Sequence, residues 1–347
     1  MEPLRKITHQ YAHHDIPLEC DVYDAINYAN DAPVFLFFHA GGLVGGSRTC
    51  VPPWLVQVRA YSILGEWAMD NELTSSTAQT CYDQKWPLIS ASYRLVPPIG
   101  GKELLDDVTA AYQFARKLGN GADRRVIVGG ASAGLFMASL VPHHLQPPPL
   151  ALFSISGIAT FKHPFFHSST QLTPHPIPKS EVEHFFNSPV IVGSVPDYEP
   201  CAFSTTMLLP SSTAKDPDYV HPKPPAEKSA GEKEIDKRDT LYDYFLYENA
   251  FGEIVGDVDL GFDWALERGE KWEAWPPTVF IQGDADVDVE KDVCVSAASK
   301  LGDKARFFMA EGQPHLFEAS SFLEEETPAM DQVRAAIAEL KDIVGWV

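Results

Sequence analysis

The sequence predicts an α/β protein with a mostly parallel, doubly wound sheet and an inserted cap. Short, nearly continuous apolar runs alternate with amphipathic segments along most of the chain, a rhythm typical of parallel strands covered by helices on both faces. Between about 158 and 270 this rhythm stops and the composition becomes rich in proline and polar residues. A length of 347 residues is compatible with one α/β domain that carries an insertion.

The individual elements follow from these patterns. Short strands are expected in the first 32 residues, where "IPLECDVYD" partly alternates. Six apolar runs predict core strands at 32–40, 86–95, 124–130, 150–156, 277–283 and 305–311. Helical patterns occupy 101–119, 133–141 and the amphipathic 330–344.

The insertion predicts a lid or cap. It lies between two late core strands, so the core comprises 1–157 and 271–347 and the cap 158–270. Ligands bind at the carboxyl edge of open α/β sheets, and a cap over that edge would enclose them. The segment 210–239 is polar and proline-rich, which predicts a flexible stretch that closes over a bound ligand. The alternative is a solvated loop with no role.

Composition excludes several partners. The formal charge is 27 − 48 = −21, which disfavours nucleic acids and anionic membranes. The five cysteines are scattered and contain no C-x-x-C pair, so neither a disulfide framework nor a zinc site is expected. No signal peptide or run of about 18 apolar residues is visible. We therefore expect a soluble cytoplasmic protein with no metal; the oligomeric state stays open.

The stretch "VIVGGASAG" (126–134) contains the first candidate for catalysis. It fits the G-x-S-x-G nucleophile elbow, in which a serine sits on a tight turn between a strand and a helix. Ser132 would be the nucleophile. The alternative is a small-residue turn in which Ser132 only caps the following helix. A serine nucleophile needs a histidine base, an acid that orients it and donors for an oxyanion.

The base is predicted by position in the chain. His143 and His144 lie on or just after the helix that the elbow begins, and the histidines from His163 to His221 fall in the insertion. Only His315, in "FFMAEGQPHLFE", follows the last apolar run. A loop after the terminal strand can reach back over the sheet, so His315 is the candidate base.

The acid is expected after the preceding strand. "VFIQGDADVDV" offers Asp284, Asp286 and Asp288, and the spacing lacks the glycine and distal glutamate of an EF-hand calcium loop. Asp286, the third residue after the turn at Gly283, is favoured. Asp284 and Asp288 stay open as alternatives.

The oxyanion donors are expected in "FLFFHAGGLVGGSR", a glycine-rich turn after an early strand. The backbone N–H groups of Gly41 and Gly42, with that of Ala133 after the nucleophile, would converge on one oxygen. The glycines fit neither G-x-G-x-x-G nor a P-loop. His39 is expected to be structural.

Together these motifs resemble those of the α/β-hydrolases of the hormone-sensitive-lipase-like branch, the fold-3 carboxylesterases. The matching stretches are "HAGG" (39–42), "SYRLVPP" (92–98), "GASAG" (130–134), "DVDVEKD" (286–292) and "HLF" (315–317). The resemblance implies a triad of Ser132, Asp286 and His315. Ala40 and Ala131 depart from the family's H-G-G-G and G-D-S-A-G, and the long insertion with a short N-terminus differs from its usual cap.

The resemblance implies hydrolysis of a carboxylic ester through an acyl-enzyme, with a small-molecule ester or thioester as substrate and no cofactor. Six cap aromatics favour a small to medium apolar or aromatic substrate, or else form the cap's own core: Phe161, Phe165, Phe166, Tyr242, Tyr244 and Phe245. One alternative is a thioesterase, cyclase or dehydratase acting on a polyketide-like intermediate, as in a fungal secondary-metabolite hydrolase. Another is a non-catalytic ligand-binding protein, which a remote His315 would favour.

Overall fold

The computed structural model of the protein describes residues 5–25, 28–52, 54–55, 80–119, 123–193, 238–319, 321, 323 and 325–345. Its described strands form one sheet in the order β1-β2-β4-β3-β5-β6-β7-β8. The strands are β1 (Arg5–His14), β2 (Ile16–Asp24), β3 (Val34–Phe38), β4 (Leu88–Ala91), β5 (Val126–Ala131), β6 (Ala151–Ile155), β7 (Thr278–Gly283) and β8 (Ala305–Ala310). β2 pairs antiparallel with β1 and β4, and the other pairs are parallel.

Helices cover both faces of this sheet. The described helices are α1 (Thr80–Gln84), α2 (Gly101–Arg116), α3 (Ala133–His144), α4 (Lys179–Phe186), α5 (Thr240–Tyr247), α6 (Phe251–Val255), α7 (Glu270–Ala274), α8 (Asp292–Leu301) and α9 (Pro328–Gly345). The apolar side chains of α2, α3 and α8 pack in one core cluster and those of α1 and α9 in another. The sheet therefore separates two cores, which confirms the predicted doubly wound architecture.

Strand β3 shows why strands in the middle of this sheet are continuous apolar runs in the sequence. Its alternate residues Val34, Leu36 and Phe38 pack in the core on the α2 and α3 side, whereas Phe35 and Phe37 pack in the core with α9. Because successive side chains point to opposite faces, a strand buried on both faces needs an apolar residue at every position. All five residues are buried.

The six predicted core strands and the three predicted helices are confirmed, with ends that differ by a few residues. The predicted helix-like stretch 240–251 is divided into α5 and the start of α6. Asn249, between them, has φ of 57°, a left-handed conformation that an α-helix cannot continue through.

The described parts of the insertion form a helical layer joined to the core. Phe161 packs 5.0 Å from Phe136 of α3 and 4.7 Å from Phe251 of α6 (ring centroids). Most of the predicted flexible segment, 210–237, lies outside the described residues. Arg238, near the end of that segment, is buried and donates to the carbonyl oxygen of Val44 at 2.8 Å.

Two further features bear on the expectations from composition. Cys50 is disulfide-bonded, a bond that the scattered cysteines of the sequence do not predict. Cys20, Cys81 and Cys294 are free and buried. None of the helices in the described ranges is both long enough and apolar enough to cross a membrane.

A buried ion pair joins the strand layer to α2. Asp107 is fully buried; its Oδ1 lies 2.8 Å from Arg94 Nη2 and 2.8 Å from His14 Nδ1, and its Oδ2 accepts from the backbone N–H of Arg94. Asp107→Ala is expected to lower the free energy of unfolding by about 3–5 kcal/mol, because it leaves the Arg94 guanidinium buried without its counter-charge. Urea unfolding followed by tryptophan fluorescence measures this loss.

Asp106→Ala is the matched control for that variant. Asp106 is the adjacent residue of α2, and its carboxylate makes only an exposed pair with Lys102. Removing it is expected to leave the unfolding midpoint nearly unchanged. Equal losses from Asp106→Ala and Asp107→Ala would contradict a stabilising role for the buried pair.

Candidate active site

Ser132 lies at the sharp turn between β5 and α3. Its backbone has φ of 51° and ψ of −123°, a strained conformation for a non-glycine residue that is typical of functional sites. The surrounding structure holds this turn, because the N–H of Ser132 donates to Ile155 O and its carbonyl accepts from Ile158 N, both at 2.8 Å. Ser132 is 5% exposed and makes no side-chain cap hydrogen bond to α3. The interpretation of Ser132 as a helix cap is therefore wrong.

The two glycines of the elbow are required by close backbone approach. A Cβ on Gly130 would lie 2.1 Å from the carbonyl of Gly134, and a Cβ on Gly134 would lie 2.1 Å from Phe38 O on the neighbouring strand. Any larger residue at either position would push α3 away from the sheet. The G-x-S-x-G pattern thus lets the helix start directly behind the serine.

The structure brings His315 and Asp286 to this serine. His315 Nε2 lies 3.0 Å from Ser132 Oγ, and His315 Nδ1 lies 2.7 Å from Asp286 Oδ2. A carboxylate only accepts, so Nδ1 carries the proton and Nε2 is free to accept from the serine hydroxyl. The three side chains form one continuous hydrogen-bonded row at the carboxyl ends of β5, β7 and β8.

The acid loop distinguishes Asp286 from its two neighbours. Asp286 Oδ1 accepts from the N–H groups of Asp288 and Val289 at 3.0 and 2.9 Å, and Oδ2 accepts from Gln282 Nε2 at 2.7 Å. Asp284 Oδ1 instead accepts from the N–H of Gly312 at 2.5 Å. Asp286 alone among the three aspartates contacts His315.

Hydrogen bonds hold the histidine loop against the acid loop and against Ser156, which follows β6. Ala285 N donates to Gln313 O at 3.0 Å, and Leu316 N donates to Ser156 Oγ at 3.2 Å. A Cβ on Gly283 would lie 2.3 Å from Gln313 O, so glycine is needed there. Leu316 itself has φ of 50°. These contacts fix the loop on which His315 stands.

The predicted oxyanion donors lie on two neighbouring turns. Gly41 and Gly42 follow β3, and Ala133 begins α3. Within the described ranges, no protein acceptor is recorded for the N–H groups of these three residues. Gly41 O is occupied instead, since it accepts from Val44 N and Gly45 N at 2.9 and 2.8 Å. The carbonyl of Gly41 is thus bonded within its own turn.

Tyr242 of α5 spans the loops on either side of this site. A Cβ on Gly42 would lie 2.5 Å from the Tyr242 ring, and the Tyr242 hydroxyl donates to Asp288 O at 2.7 Å. Burial, with the charges of Asp288 and Asp286, raises the pKa of Tyr242 well above its usual value. The neutral phenol therefore connects α5 to both the glycine turn after β3 and the loop that carries Asp286 and Asp288.

The other five predicted cap aromatics are buried among themselves and the core: Phe161, Phe165, Phe166, Tyr244 and Phe245. Their burial favours the alternative that they form the core of the cap. Tyr242 is only partly buried and contacts loops of the site, so it is the one of the six that carries the expectation of substrate contact.

The contacts of His39 are those of a residue with a structural role. Its ring stacks on Tyr93 with centroids 4.2 Å apart, and its Nδ1 contacts Ala40 O at 2.7 Å. Burial lowers the pKa of His39 to about 4, which keeps the ring neutral. This agrees with its expected role beside the oxyanion turn.

Two buried polar residues near Ser132, His315 and Asp286 are not predicted from the sequence. Gln282 sits at the end of an apolar strand pattern, where a polar residue is the only signal. Glu318, three residues after His315, is fully buried, and burial raises its pKa to about 7. The described ranges contain no group of three or more His, Cys, Asp or Glu that could hold a metal ion.

No protein-family model matches the chain, and no curated protein matches it by sequence. Solved structures do match. An α/β hydrolase superfamily protein from Enterococcus faecalis aligns with a TM-score of 0.63 at 13% identity, over 97% of this chain and 99% of that one. Carboxyl esterase 2 from Tuber melanosporum aligns with a TM-score of 0.54 at 13% identity, over 99% and 88% of the two chains.

A thermostable esterase from Pseudomonas putida also aligns, with a TM-score of 0.53 at 14% identity over 98% of this chain and 83% of that one. At these identities the likeness concerns the fold. The strand order, the elbow at the end of β5 and the structural matches agree, and the chain has the α/β-hydrolase fold.

Proposed function

We propose that this protein is a serine hydrolase that cleaves carboxylic esters through an acyl-enzyme. The observation that carries the proposal is the row Ser132 Oγ, His315 Nε2, His315 Nδ1 and Asp286 Oδ2, with contacts of 3.0 and 2.7 Å. This is the arrangement that makes a serine hydroxyl nucleophilic. The closeness of His315 to Ser132 also favours catalysis over a non-catalytic ligand-binding role.

The acylation step follows from these contacts. Ser132 Oγ attacks the ester carbonyl carbon while its proton moves to His315 Nε2, and Asp286 stabilises the imidazolium that forms. The carbonyl oxygen becomes an oxyanion, and the proposed donors are the N–H groups of Gly41, Gly42 and Ala133. The C–O bond to the alcohol then breaks, and His315 returns the proton to the leaving oxygen.

Deacylation uses the same groups in reverse order. A water molecule gives a proton to His315 Nε2 and attacks the acyl carbon. The tetrahedral intermediate collapses, the bond to Ser132 Oγ breaks and the proton returns to that oxygen. The products are a carboxylic acid and the free enzyme, so the step needs no cofactor.

The described parts of 158–270 act in this proposal as the cap of the site. Tyr242 presents an aromatic ring next to Gly42, one of the oxyanion donors. An aromatic wall beside the reacting carbonyl supports a small to medium apolar or aromatic ester as substrate. The finer identity of that ester is a matter for a substrate panel.

The first test is burst kinetics on the wild-type protein with short-chain and aryl p-nitrophenyl esters and with a matched thioester. We expect a burst of p-nitrophenol equal to the enzyme concentration, followed by slower turnover, because the acyl group stays on Ser132 after the alcohol has left. The better substrate of the panel distinguishes ester from thioester hydrolysis. Absence of both burst and turnover across the panel would contradict the proposal.

A further inference from the structure

Gln282 is a fully buried amide that contacts the acid of the triad. It is the fifth residue of β7, four residues before Asp286. Its Nε2 donates to Asp286 Oδ2 at 2.7 Å and lies 3.5 Å from Val289 O. The side chain therefore touches both the carboxylate and the backbone of the loop that carries it.

The orientation of this amide follows from its partner. If the amide were rotated by half a turn, Oε1 would face Asp286 Oδ2, and two acceptors would lie 2.7 Å apart. Asp286 Oδ2 thus has two donors, Gln282 Nε2 and His315 Nδ1, while Oδ1 has two backbone donors. The carboxylate has all of its acceptor positions occupied.

An amide at this position is costly in an apolar strand. The three preceding residues of β7, Val279, Phe280 and Ile281, are buried and apolar. Gln282 Oε1 is buried and has no hydrogen-bond partner in the described part of the chain. A buried amide oxygen without a partner is unfavourable, and an apolar residue at this position would avoid that cost. The hydrogen bond from Gln282 Nε2 to Asp286 offsets the cost of burying this amide.

We propose that Gln282 is a positioning residue of the triad, one that holds Asp286 Oδ2 against His315 and weakens the negative charge this oxygen presents to the imidazole. The inference rests on the proposed function. Gln282 touches neither substrate nor Ser132 and acts through Asp286. Its expected effects are on the orientation and the protonation of His315.

The sign of the protonation effect follows from the charge. Without the Gln282 donor, the carboxylate of Asp286 attracts the protonated imidazole more strongly. His315 then stays protonated to higher pH and cannot accept the proton of Ser132. The acidic limb of kcat/KM therefore moves to higher pH.

Several other titratable groups lie near Asp286 and His315 and can also affect the acidic limb of the kcat/KM profile. Glu318 lies on the loop of His315, Tyr242 comes from α5, Cys294 comes from α8, and Asp288 lies on the acid loop. Burial raises the pKa of Glu318 to about 7 and that of Cys294 to about 12. Glu318 is thus the neighbour whose titration overlaps the limb, and Glu318→Gln removes it from the profile.

The test compares the wild type with Gln282→Met, measuring kcat and KM for the best p-nitrophenyl ester between about pH 5 and pH 9. Methionine keeps the length of the side chain and removes the donor. We expect the acidic midpoint of kcat/KM to move up by roughly half a pH unit. We also expect kcat to fall about tenfold at the plateau with KM little changed. The same upward shift is expected when both proteins carry Glu318→Gln.

Gln282→Glu is the informative second variant. Two carboxyl groups this close share one proton, and in that state the introduced carboxyl group donates to Asp286 as the amide does. This variant is expected to approach wild-type kcat at low pH and to lose activity when the shared proton leaves. Ile281→Val, whose side chain packs in the other core, controls for lost stability and is expected to leave the midpoint unchanged.

A Gln282→Met protein whose kcat/KM falls by the same factor at every pH, with no shift of the midpoint, would overturn the inference and leave Gln282 as a packing residue. If Gln282→Met does not fold, a wild-type-like profile of Gln282→Glu across the whole range would overturn it instead. Failure of the proposed function is distinct, since it appears as absent turnover in the wild type.

Discussion

Replacing Ser132 with alanine is expected to lower kcat for p-nitrophenyl esters by about 10⁴-fold or more. The hydroxyl is the only group of this residue that can attack the carbonyl. His315 Nε2, which lies 3.0 Å from that hydroxyl oxygen in the wild type, would have only water to activate. The residual rate reflects substrate binding and the oxyanion turn. Stopped-flow kinetics of p-nitrophenol release measures both the burst and the turnover.

Covalent labelling is the second measurement on the same variant. A fluorophosphonate is expected to add one phosphonyl group to the wild type, on the peptide that contains Ser132, and none to Ser132→Ala. Ser139→Ala is the matched control, because Ser139 is a buried serine on α3 whose hydroxyl only donates to Phe136 O at 2.8 Å. Normal burst and labelling in Ser132→Ala would show that another residue is the nucleophile.

Much of this site could be predicted because parallel strands end at one edge of a sheet. Ser132, Asp286 and His315 are far apart in sequence, yet each follows a recognisable apolar strand. The doubly wound class brings the carboxyl ends of such strands together. Chain order and strand ends therefore predict His315 among the histidines of the chain, and its ring contacts both Ser132 and Asp286.

The choice among the three acidic-loop aspartates depended on hydrogen bonds that have no sequence signature. The N–H groups of Asp288 and Val289 turn towards Asp286 Oδ1, and Gln282 reaches the other oxygen from within the strand. Backbone direction in a tight loop and the contacts of a single buried amide are tertiary properties. Spacing alone therefore left Asp284 and Asp288 as alternatives.

The cap was the least predictable part. Aromatic residues in an insertion have the same composition whether they bury each other or line a pocket. Phe161 and Phe166 pack with Phe251 in the interior, whereas Tyr242 leans on Gly42 of the oxyanion turn. The difference arises from where α5 lies relative to the turn at Gly42 and the loop at Asp288, which periodicity does not specify. The disulfide at Cys50 likewise has no local signal.

Asp286→Asn is the second large expected effect, with a fall in kcat of about 10⁴-fold. An asparagine at this position has one acceptor and one donor, but all four groups that contact the carboxylate are donors. With its NH₂ on the Oδ2 side, it opposes Gln282 Nε2 and forces His315 to carry its proton on Nε2. With its NH₂ on the Oδ1 side, this donor group would face the N–H donors of Asp288 and Val289, and no hydrogen bond could form there. Steady-state kinetics with a p-nitrophenyl ester measures the loss.

Asp284→Asn and Asp288→Asn are the matched controls, and they decide between the three aspartates. The amide that replaces the Asp284 carboxylate can still accept from the N–H of Gly312. Asp288 contacts Asp286 and Tyr242 through its backbone, which the substitution leaves in place. Both variants are expected to keep kcat within about tenfold of the wild type, because neither removes a group that touches His315.

A loss of about 10⁴-fold in either of them, with Asp286→Asn active, would move the acid of the triad to that residue. It would also remove the basis for a role of Gln282, since the amide contacts Asp286 and neither of the other two carboxylates.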